Sequence, residues 1–325
     1  MPHQKVSKSV VDAVVWGHNQ LQERKNMSEK TEAIQTKLTQ SVIDALTNTP
    51  GEWTQPWQGV SGMPHNPQTG TIYSGGNMMT LAIMSPDPAD PRWSTYKGWV
   101  KLGAQVKKGE TGTSILFWGA SYVCGTCNKW ASKPCPRHAG ASSRRMMARA
   151  YNVFHASQVD DAPEYEQPII SPDMDVQVYR EWFQTLGADW REVPSDRAFY
   201  SPSGDYISTP EDVQFDSPAG WFGTVAHEFT HWTKPANRAD RKKDNDGRAG
   251  YAFEELVAEL GAVFLANRLG VETDPRPDHC EYIASWLKAL NNDNKFVWDA
   301  AGQASKAVNF ILKEAAALPE VLVAG

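Results

Sequence analysis

Cysteine is scarce in this sequence, and long hydrophobic segments are absent. The 325 residues include four cysteines, three of them within twelve positions, a clustering that favours metal binding over disulfides. No run of 18 or more apolar residues occurs, so we expect no transmembrane helix and no membrane partner. Residues 1–30 lack a basic segment followed by an apolar one, so we expect no secretory signal and a cytoplasmic protein. Internal repeats are also absent, which excludes solenoid folds.

A uniform charge is lacking as well, because the two halves of the chain have opposite signs. The net charge is −6, which by itself argues against a nucleic-acid partner. Residues 1–158, however, hold 17 Lys and Arg against 9 Asp and Glu, whereas residues 159–325 hold 15 against 29. This division predicts two surfaces with different partners.

The pattern of apolar residues and turn signals predicts an α+β protein with two domains. We interpret residues 1–28, which are mixed and polar, as a flexible extension. Residues 29–160 combine a helix with short β-type segments, and the acidic, proline-containing stretch 161–172 is typical of a linker. Residues 173–325 are mostly helical, with a hairpin predicted over 198–210 and helices over 176–186, 218–233, 251–269, 280–290 and 298–318.

The strongest catalytic signal is the pentapeptide His227-Glu228-Phe229-Thr230-His231. Histidines four positions apart on a helix are separated by about 40° of rotation and about 6 Å of rise, so both imidazoles can bind one metal ion. Glu228 would then lie beside a metal-bound water and accept its proton as a general base. The spacing predicts a single-zinc site of the metallopeptidase type; the alternative is two ordinary histidines on a helix.

A second helix supplies acidic residues for the same site. At about 100° per residue, Glu255 and Glu259 share a face of the 251–269 helix that lies away from its apolar face. We assign Glu255 as the third metal ligand and Glu259 as the carboxylate that orients one histidine, a spacing that resembles the gluzincin pattern. The reverse assignment stays open, as does an exposed acidic face. An edge strand near Tyr206-Ile207 could pair with an extended peptide.

Three cysteines and a histidine form a second metal-binding pattern. The stretch Cys124-x2-Cys127-x7-Cys135-x2-His138 offers three thiolates and one imidazole, a donor set typical of closed, structural zinc sites. It lies between strands predicted over 114–118 and 151–157, so we expect a zinc-binding hairpin insertion at about residues 120–148. Three reduced cysteines in a loop are the alternative. Cys280 is expected to be a lone thiol.

Residues 101–150 combine basic side chains with aromatic ones. They hold nine Lys and Arg and one acidic residue, with aromatic residues interleaved and just upstream. Bases stack on aromatic rings while cations neutralise phosphates, which favours single strands without strong sequence preference. We expect Trp99 and Trp118 to be at least partly buried. The candidate DNA contacts are Lys97, Lys101, Lys107, Lys108, Trp57, Tyr73, Asn77, Arg144 and Arg145.

Over about residues 30–315, the chain resembles the ArdC-type antirestriction proteins of conjugative plasmids and phages. The first half also resembles a domain of TraC-type plasmid primases, and its matching stretches include Pro56-Trp57, Gly70-x2-Tyr73-x-Gly75-x-Asn77, Lys108-Gly109-Glu110 and Tyr151-Asn152-Val153-Phe154. The matches in the second half are His227-Glu228-x2-His231-Trp232-Thr233, Glu254-Glu255-Leu256-Val257-Ala258-Glu259-Leu260 and Tyr282-Ile283-Ala284-x-Trp286-Leu287. The Cys124–His138 cluster departs from the family pattern.

The resemblance implies a first domain that binds single-stranded DNA, a zincin-like second domain, and protection of incoming plasmid or phage DNA from host restriction. It also implies a protein substrate or a restriction-system partner in the bacterial host or recipient cell. Three activities stay open: a zinc-dependent peptidase bound to DNA, a single-stranded DNA-binding protein with an idle zincin domain, and a primase accessory. The primase accessory ranks last, because no clustered acidic residues for magnesium accompany the first domain.

Overall fold

The computed structural model describes residues 29–44, 47, 62–127, 129–166, 174–241, 248–271, 290, 293 and 295–317. Contacts divide the chain into two compact units. One unit contains Ser114–Asn152 and the described residues up to Thr36, and the other contains the described residues of Lys37–Thr113 and Val153–Gly325. The predicted extension 1–28 and nearly all of the predicted helix 280–290 lie outside the described residues.

Helices and short strands alternate in the first half of the chain, and helices dominate the second half. The helices are α1 (29–44), α2 (Gly75–Ile83), α3 (Tyr96–Lys101), α4 (Val176–Gln184), α5 (Pro218–Trp232), α6 (Arg248–Leu269) and α7 (Phe296–Glu314). The strands are β1 (Trp93–Ser94), β2 (Gln105–Val106), β3 (Thr113–Cys124), β4 (Trp130–Ala131), β5 (Ser142–His155), β6 (Val159–Asp160), β7 (Asp189–Glu192), β8 (Phe199–Ser201) and β9 (Tyr206–Thr209). The predicted helices 176–186, 218–233, 251–269 and 298–318 are confirmed to within a few residues at each end.

A long β-hairpin makes up most of the first compact unit. Strands β3 and β5 are neighbours in a sheet of order β1-β5-β3-β4, and β4 pairs antiparallel with β3 at Tyr122 and Val123. The predicted strands 114–118 and 151–157 correspond to parts of β3 and β5, which are both much longer. The cysteine pattern therefore lies at the far end of a hairpin, as the sequence indicates.

Trp99 lies at the centre of a small core in the second compact unit. It is fully buried against Ala104, Val106, Ala156 and Val159, and its indole Nε1 donates to the Phe154 carbonyl at 2.9 Å. The burial expected for Trp99 is confirmed. Since β2 pairs with β6, this core connects α3 to the end of the hairpin strand β5.

The predicted hairpin over 198–210 is confirmed, but the predicted edge strand is wrong. Strand β9, which contains Tyr206 and Ile207, lies in the middle of a three-stranded sheet of order β7-β9-β8. It pairs parallel with β7 and antiparallel with β8, so both of its edges are already hydrogen-bonded. The parallel partner, Asp189–Glu192, precedes the hairpin in the chain. The hairpin sequence alone therefore does not indicate that a third strand covers its edge.

Four helices pack together in the second compact unit. Helix α6 lies between α5 and α7, and α2 packs on α7. The contact of α2 with α7 is close, because a Cβ added to Gly76 would lie 2.2 Å from Cδ2 of Trp298. The backbone N–H of Gly75 also donates to Oγ of Ser305 at 2.8 Å. A helix from the first half of the sequence thus shares a core with the last helix of the second half.

None of the helices in the described part of the chain has both the length and the apolar character needed to cross a bilayer. The predicted domain boundaries at 28, 160 and 172 stay predictions.

Candidate functional site

Helix α5 carries the HExxH pentapeptide and has well-formed ends. Oγ of Ser217 accepts from the backbone N–H of Gly220 at 3.0 Å, and Pro218 occupies the first turn. The helix ends at Trp232, where Thr233 caps it. Because α5 is buried along nearly its whole length, His227 faces the protein interior, while His231 stays partly exposed.

His227, His231 and Glu255 come together where α5 crosses α6. The two Nε2 atoms lie 3.1 Å apart, and the imidazole rings stand nearly perpendicular, at 77°. The Glu255 carboxylate lies 3.5 Å from Nε2 of His227 and 3.6 Å from Nε2 of His231. Tetrahedral ligands at zinc distances are about 3.3 Å apart, so this donor set has the right size for one divalent cation.

Each of the two histidines has a second carboxylate at its other ring nitrogen. Oε1 of Glu259 lies 2.9 Å from Nδ1 of His227, and Oε1 of Glu254 lies 3.0 Å from Nδ1 of His231. At His231 this contact is a hydrogen bond, which favours the tautomer with the proton on Nδ1 and leaves the Nε2 lone pair for a metal. The assignment of Glu255 as a metal ligand and Glu259 as the orienting carboxylate stays a prediction.

Sequence reasoning missed Glu254 and Arg241. The buried Arg241 guanidinium donates to both Glu254 oxygens, at 2.6 and 3.1 Å, and to the Thr230 carbonyl at 2.9 Å. Burial alone would raise the pKa of Glu254, but the contacts with His231 and Arg241 outweigh it and bring the pKa to about 2. Glu254 lies outside the Glu255 face of α6, and Arg241 lies in a loop without periodicity, so no spacing rule points to either.

Glu228 is buried on α5 next to His227. Helix geometry places it about 60° around the axis from His231, on the same side of α5. Helices α5 and α6 pack closely one turn along, because a Cβ added to Gly261 of α6 would lie 2.5 Å from Oγ1 of Thr230.

The cysteine pattern folds into a compact cluster of donor atoms. Ligand atoms of Cys124, Cys127, Cys135 and His138 all lie within 4.8 Å of one another. Sγ of Cys127 lies 3.9 Å from Sγ of Cys135, which in turn lies 3.7 Å from Nδ1 of His138. Ligands of a tetrahedral zinc ion are about 3.8 Å apart for two thiolates and about 3.5 Å apart for a thiolate and an imidazole. The four residues are therefore a candidate site for one metal ion.

Turn hydrogen bonds shape this cluster. The backbone N–H of Cys127 donates to Sγ of Cys124 at 3.5 Å, and this contact lowers the pKa of the Cys124 thiol to about 6. The backbone N–H of His138 donates to the Cys135 carbonyl at 3.2 Å. Both x2 spacings are thus tight turns that present two side chains to one point. Cys280 lies outside the described residues.

The predicted DNA contacts fall into groups with different surroundings. Lys97 and Lys101 are exposed on α3, and Lys107 and Lys108 are exposed directly after β2. Nζ of Lys107 donates to the Ser157 carbonyl at 2.9 Å. Arg144 and Arg145 are exposed on the hairpin strand β5, in the other compact unit.

The remaining candidates are less available or are not described. Asn77 is half-buried on α2. The half-buried Tyr73 donates its hydroxyl to the Trp93 carbonyl at 3.1 Å, and burial raises its pKa to about 12. Trp57 lies outside the described residues. Trp118, expected to be partly buried, retains 51% of its surface exposed.

Two family models together cover most of the chain. Residues 178–303 match the model of the zincin-like metallopeptidases. Residues 32–154 match the model of the N-terminal domain of the anti-restriction factor ArdC. The two matches contain the HExxH pentapeptide and the cysteine cluster, respectively.

Curated relatives include a DNA primase TraC of Escherichia coli. It is 35% identical over 296 residues, which are 88% of this chain and 28% of the primase. The chain therefore spans little more than a quarter of the length of this relative.

Solved structures of ArdC from the R388 plasmid are similar over almost their full length. The metal-free crystal structure has 31% sequence identity and a TM-score of 0.71, with 86% of this chain and 97% of that chain covered. The Mn(II)-bound structure has 31% identity and a TM-score of 0.68, with 88% and 99% covered. The zincin-like domain implies a divalent metal at the histidine site. At this identity and coverage, the chain belongs to the ArdC family of antirestriction proteins.

Proposed function

We propose that this chain protects incoming plasmid or phage DNA from host restriction, binds single-stranded DNA, and carries a zinc-dependent peptidase site. The observation that carries the enzymatic part is the pair of Nε2 atoms 3.1 Å apart that face the Glu255 carboxylate. Buried histidines with acids on both sides suit a bound cation better than a solvent-exposed role.

In peptide hydrolysis, some residues of the site would bind the metal and another would transfer protons. His227, His231 and Glu255 would hold a zinc ion, whose chemistry at such a site is Lewis acidity toward a carbonyl and a water molecule. Glu228 accepts the proton of the attacking water and later returns it to the leaving amine. Glu254 and Glu259 keep the two imidazoles in the tautomer and orientation that metal binding needs.

We also propose a second zinc ion, bound by Cys124, Cys127, Cys135 and His138. Three thiolates and one imidazole leave no open coordination position, so this site is structural. The distances of 3.9 and 3.7 Å within the cluster support it.

Binding of single-stranded DNA is supported by the ArdC N-terminal domain match and by the excess of Lys and Arg in residues 1–158. The binding is expected to lack sequence preference, because exposed lysines neutralise phosphates without reading bases. The cell interior is the expected location, since restriction acts there.

The principal alternative is a DNA-shielding protein whose zincin domain does not cleave peptides. Glu228→Gln separates the two, because the amide cannot accept a proton while the metal ligands stay intact. The assay measures how efficiently unmodified DNA establishes itself in a restricting host. Glu314→Gln, an exposed change on α7, is the matched control.

If peptide cleavage is required, Glu228→Gln loses protection while bound zinc and single-stranded DNA binding stay at the wild-type level. Full protection by Glu228→Gln assigns the function to the DNA-shielding alternative. A wild-type chain that gives no protection contradicts the antirestriction proposal itself.

A further inference from the structure

The hairpin of β3 and β5 exposes aromatic rings to an unusual degree. Phe117, Trp118 and Tyr151 keep 57%, 51% and 42% of their surface exposed. The rings of Phe117 and Tyr151 pack edge to face with centroids 6.2 Å apart, so they lie side by side on one face of the hairpin. Trp118, the next residue in β3, points to the other face. Clusters of exposed aromatic rings on a protein surface are typical of binding sites.

The same hairpin carries charge of one sign only. Residues 111–159 contain six Lys and Arg and no Asp or Glu. All six are exposed, and none of them forms an ion pair within the part of the chain that the structure describes. They are Lys129, Lys133, Arg137, Arg144, Arg145 and Arg149. Unpaired cations beside exposed rings match the two chemical features of a single strand, its phosphates and its unstacked bases.

The cysteine cluster closes the end of this hairpin. A backbone hydrogen bond also joins the two sides of the hairpin next to the cluster. The N–H of Gly125 donates to the Ala141 carbonyl at 2.8 Å. The exposed rings and arginines lie outside the buried positions of the hairpin, such as Leu116 and Ala148, so a metal-closed tip would help to keep them in fixed positions.

We propose that the β3–β5 hairpin is a contact surface for single-stranded DNA, in which Phe117 and Tyr151 stack on bases while Arg145, which strand alternation places on the same face as Tyr151, binds a phosphate. This inference rests on the proposed single-stranded DNA binding and names its surface. Duplex DNA fits less well, because its bases are already stacked and offer no free face to a ring. The lysines on α3 and those that follow β2 would then contribute a second, separate group of phosphate contacts.

The test measures binding of the full-length, zinc-containing chain to a fluorescent oligo-dT by anisotropy over a range of salt concentrations. Phe117→Ala and Tyr151→Ala should each weaken binding by about 5- to 100-fold at fixed salt. Arg145→Ala should lower the slope of log K against log salt by about 0.7, the contribution of one phosphate contact on single strands.

Matched controls remove the same groups elsewhere. Tyr251→Ala removes an exposed tyrosine of α6, and Lys295→Ala/Lys313→Ala removes two exposed cations at the ends of α7. Neither should change the affinity or the salt slope. Zinc content and unfolding temperature, measured for every variant, should equal those of the wild type.

Hairpin variants that bind like the wild type would place the DNA site elsewhere and overturn this inference, while the proposed function would stand. Equal weakening of duplex binding, or weakening that accompanies loss of zinc, also counts against base stacking on the hairpin. A wild-type chain that fails to bind the oligonucleotide overturns the proposed DNA binding as well.

Discussion

Glu254 accepts from Nδ1 of His231, with 3.0 Å between its Oε1 atom and that nitrogen. Arg241 donates to the same carboxylate at 2.6 and 3.1 Å. The pKa of Glu254, about 2, keeps this carboxylate charged at neutral pH. A charged, immobilised carboxylate at Nδ1 makes Nε2 a better and better-oriented metal ligand. Glu254, which lies outside the HExxH pentapeptide, therefore orients His231.

Glu254→Ala is expected to weaken metal binding by about 10- to 100-fold, the usual effect of losing a carboxylate behind a ligating histidine. Glu254→Gln should weaken it less, because the amide oxygen can still accept from Nδ1. Competition with a chromophoric chelator measures the affinity. Glu314→Ala, on the exposed end of α7, should leave it unchanged, and an unaltered affinity in Glu254→Ala would show that this contact is only structural.

Gly261→Ala is expected to push α6 away from α5, since the new Cβ would lie 2.5 Å from Thr230. Overpacking of this kind costs about 1–3 kcal/mol of unfolding free energy, and the shift should also weaken metal binding. Gly302→Ala is the matched control, because nothing lies within 4 Å of a Cβ at that helical position. Urea unfolding should show it to be neutral or slightly stabilising; equal stability of the two variants would argue against tight packing at Gly261.

Cys124→Ser/Cys127→Ser is expected to lower the zinc content from about two ions per chain to about one, because two of four ligands are lost at one site only. Metal analysis of the purified chain measures this. As a control, Cys280→Ser removes the one cysteine outside the cluster and should keep both ions. A content that stays at the wild-type level in Cys124→Ser/Cys127→Ser would mean that the hairpin tip holds no zinc.

The buried Tyr73 hydroxyl predicts a loss of stability at alkaline pH. Its pKa is raised from 10.0 to about 12, so between these values the folded chain keeps a proton that the unfolded chain has lost. Stability is thus fully present below pH 10 and falls as the pH rises toward 12, by roughly 1 kcal/mol for a partly exposed ring. Tyr73→Phe should remove this part of the pH dependence in urea unfolding, at a cost of about 1 kcal/mol from the lost hydrogen bond to Trp93. An identical slope in both proteins would rule out this origin.

Local periodicity predicts four of the residues that the structure brings together on α5 and α6. His227 and His231 follow from a four-residue spacing, and Glu255 and Glu259 from the same spacing on α6, because a helix brings such pairs to one face. The turns of Cys124–Cys127 and Cys135–His138 are similarly local. These residues could be assigned to common sites from the sequence alone. The assignment needed only one assumption for each site, that two helices cross or that one hairpin closes.

Features that depend on distant contacts could not be predicted in this way. Arg241 reaches Glu254 from a loop, and the parallel partner of β9 is Asp189–Glu192, which precedes its antiparallel partner in the chain. Trp118 was expected to be at least partly buried, but 51% of its surface is exposed on β3. Burial of a tryptophan depends on what covers its strand, and the strand's own sequence does not contain that information.

Diffraction from crystals soaked in zinc, recorded at the zinc absorption edge, tests the metal site most directly. We expect an anomalous peak about 2.0–2.2 Å from Nε2 of His227, Nε2 of His231 and a carboxylate oxygen of Glu255. No peak among these three side chains at saturating zinc, with the hairpin tip occupied as an internal positive control, would disprove the peptidase site.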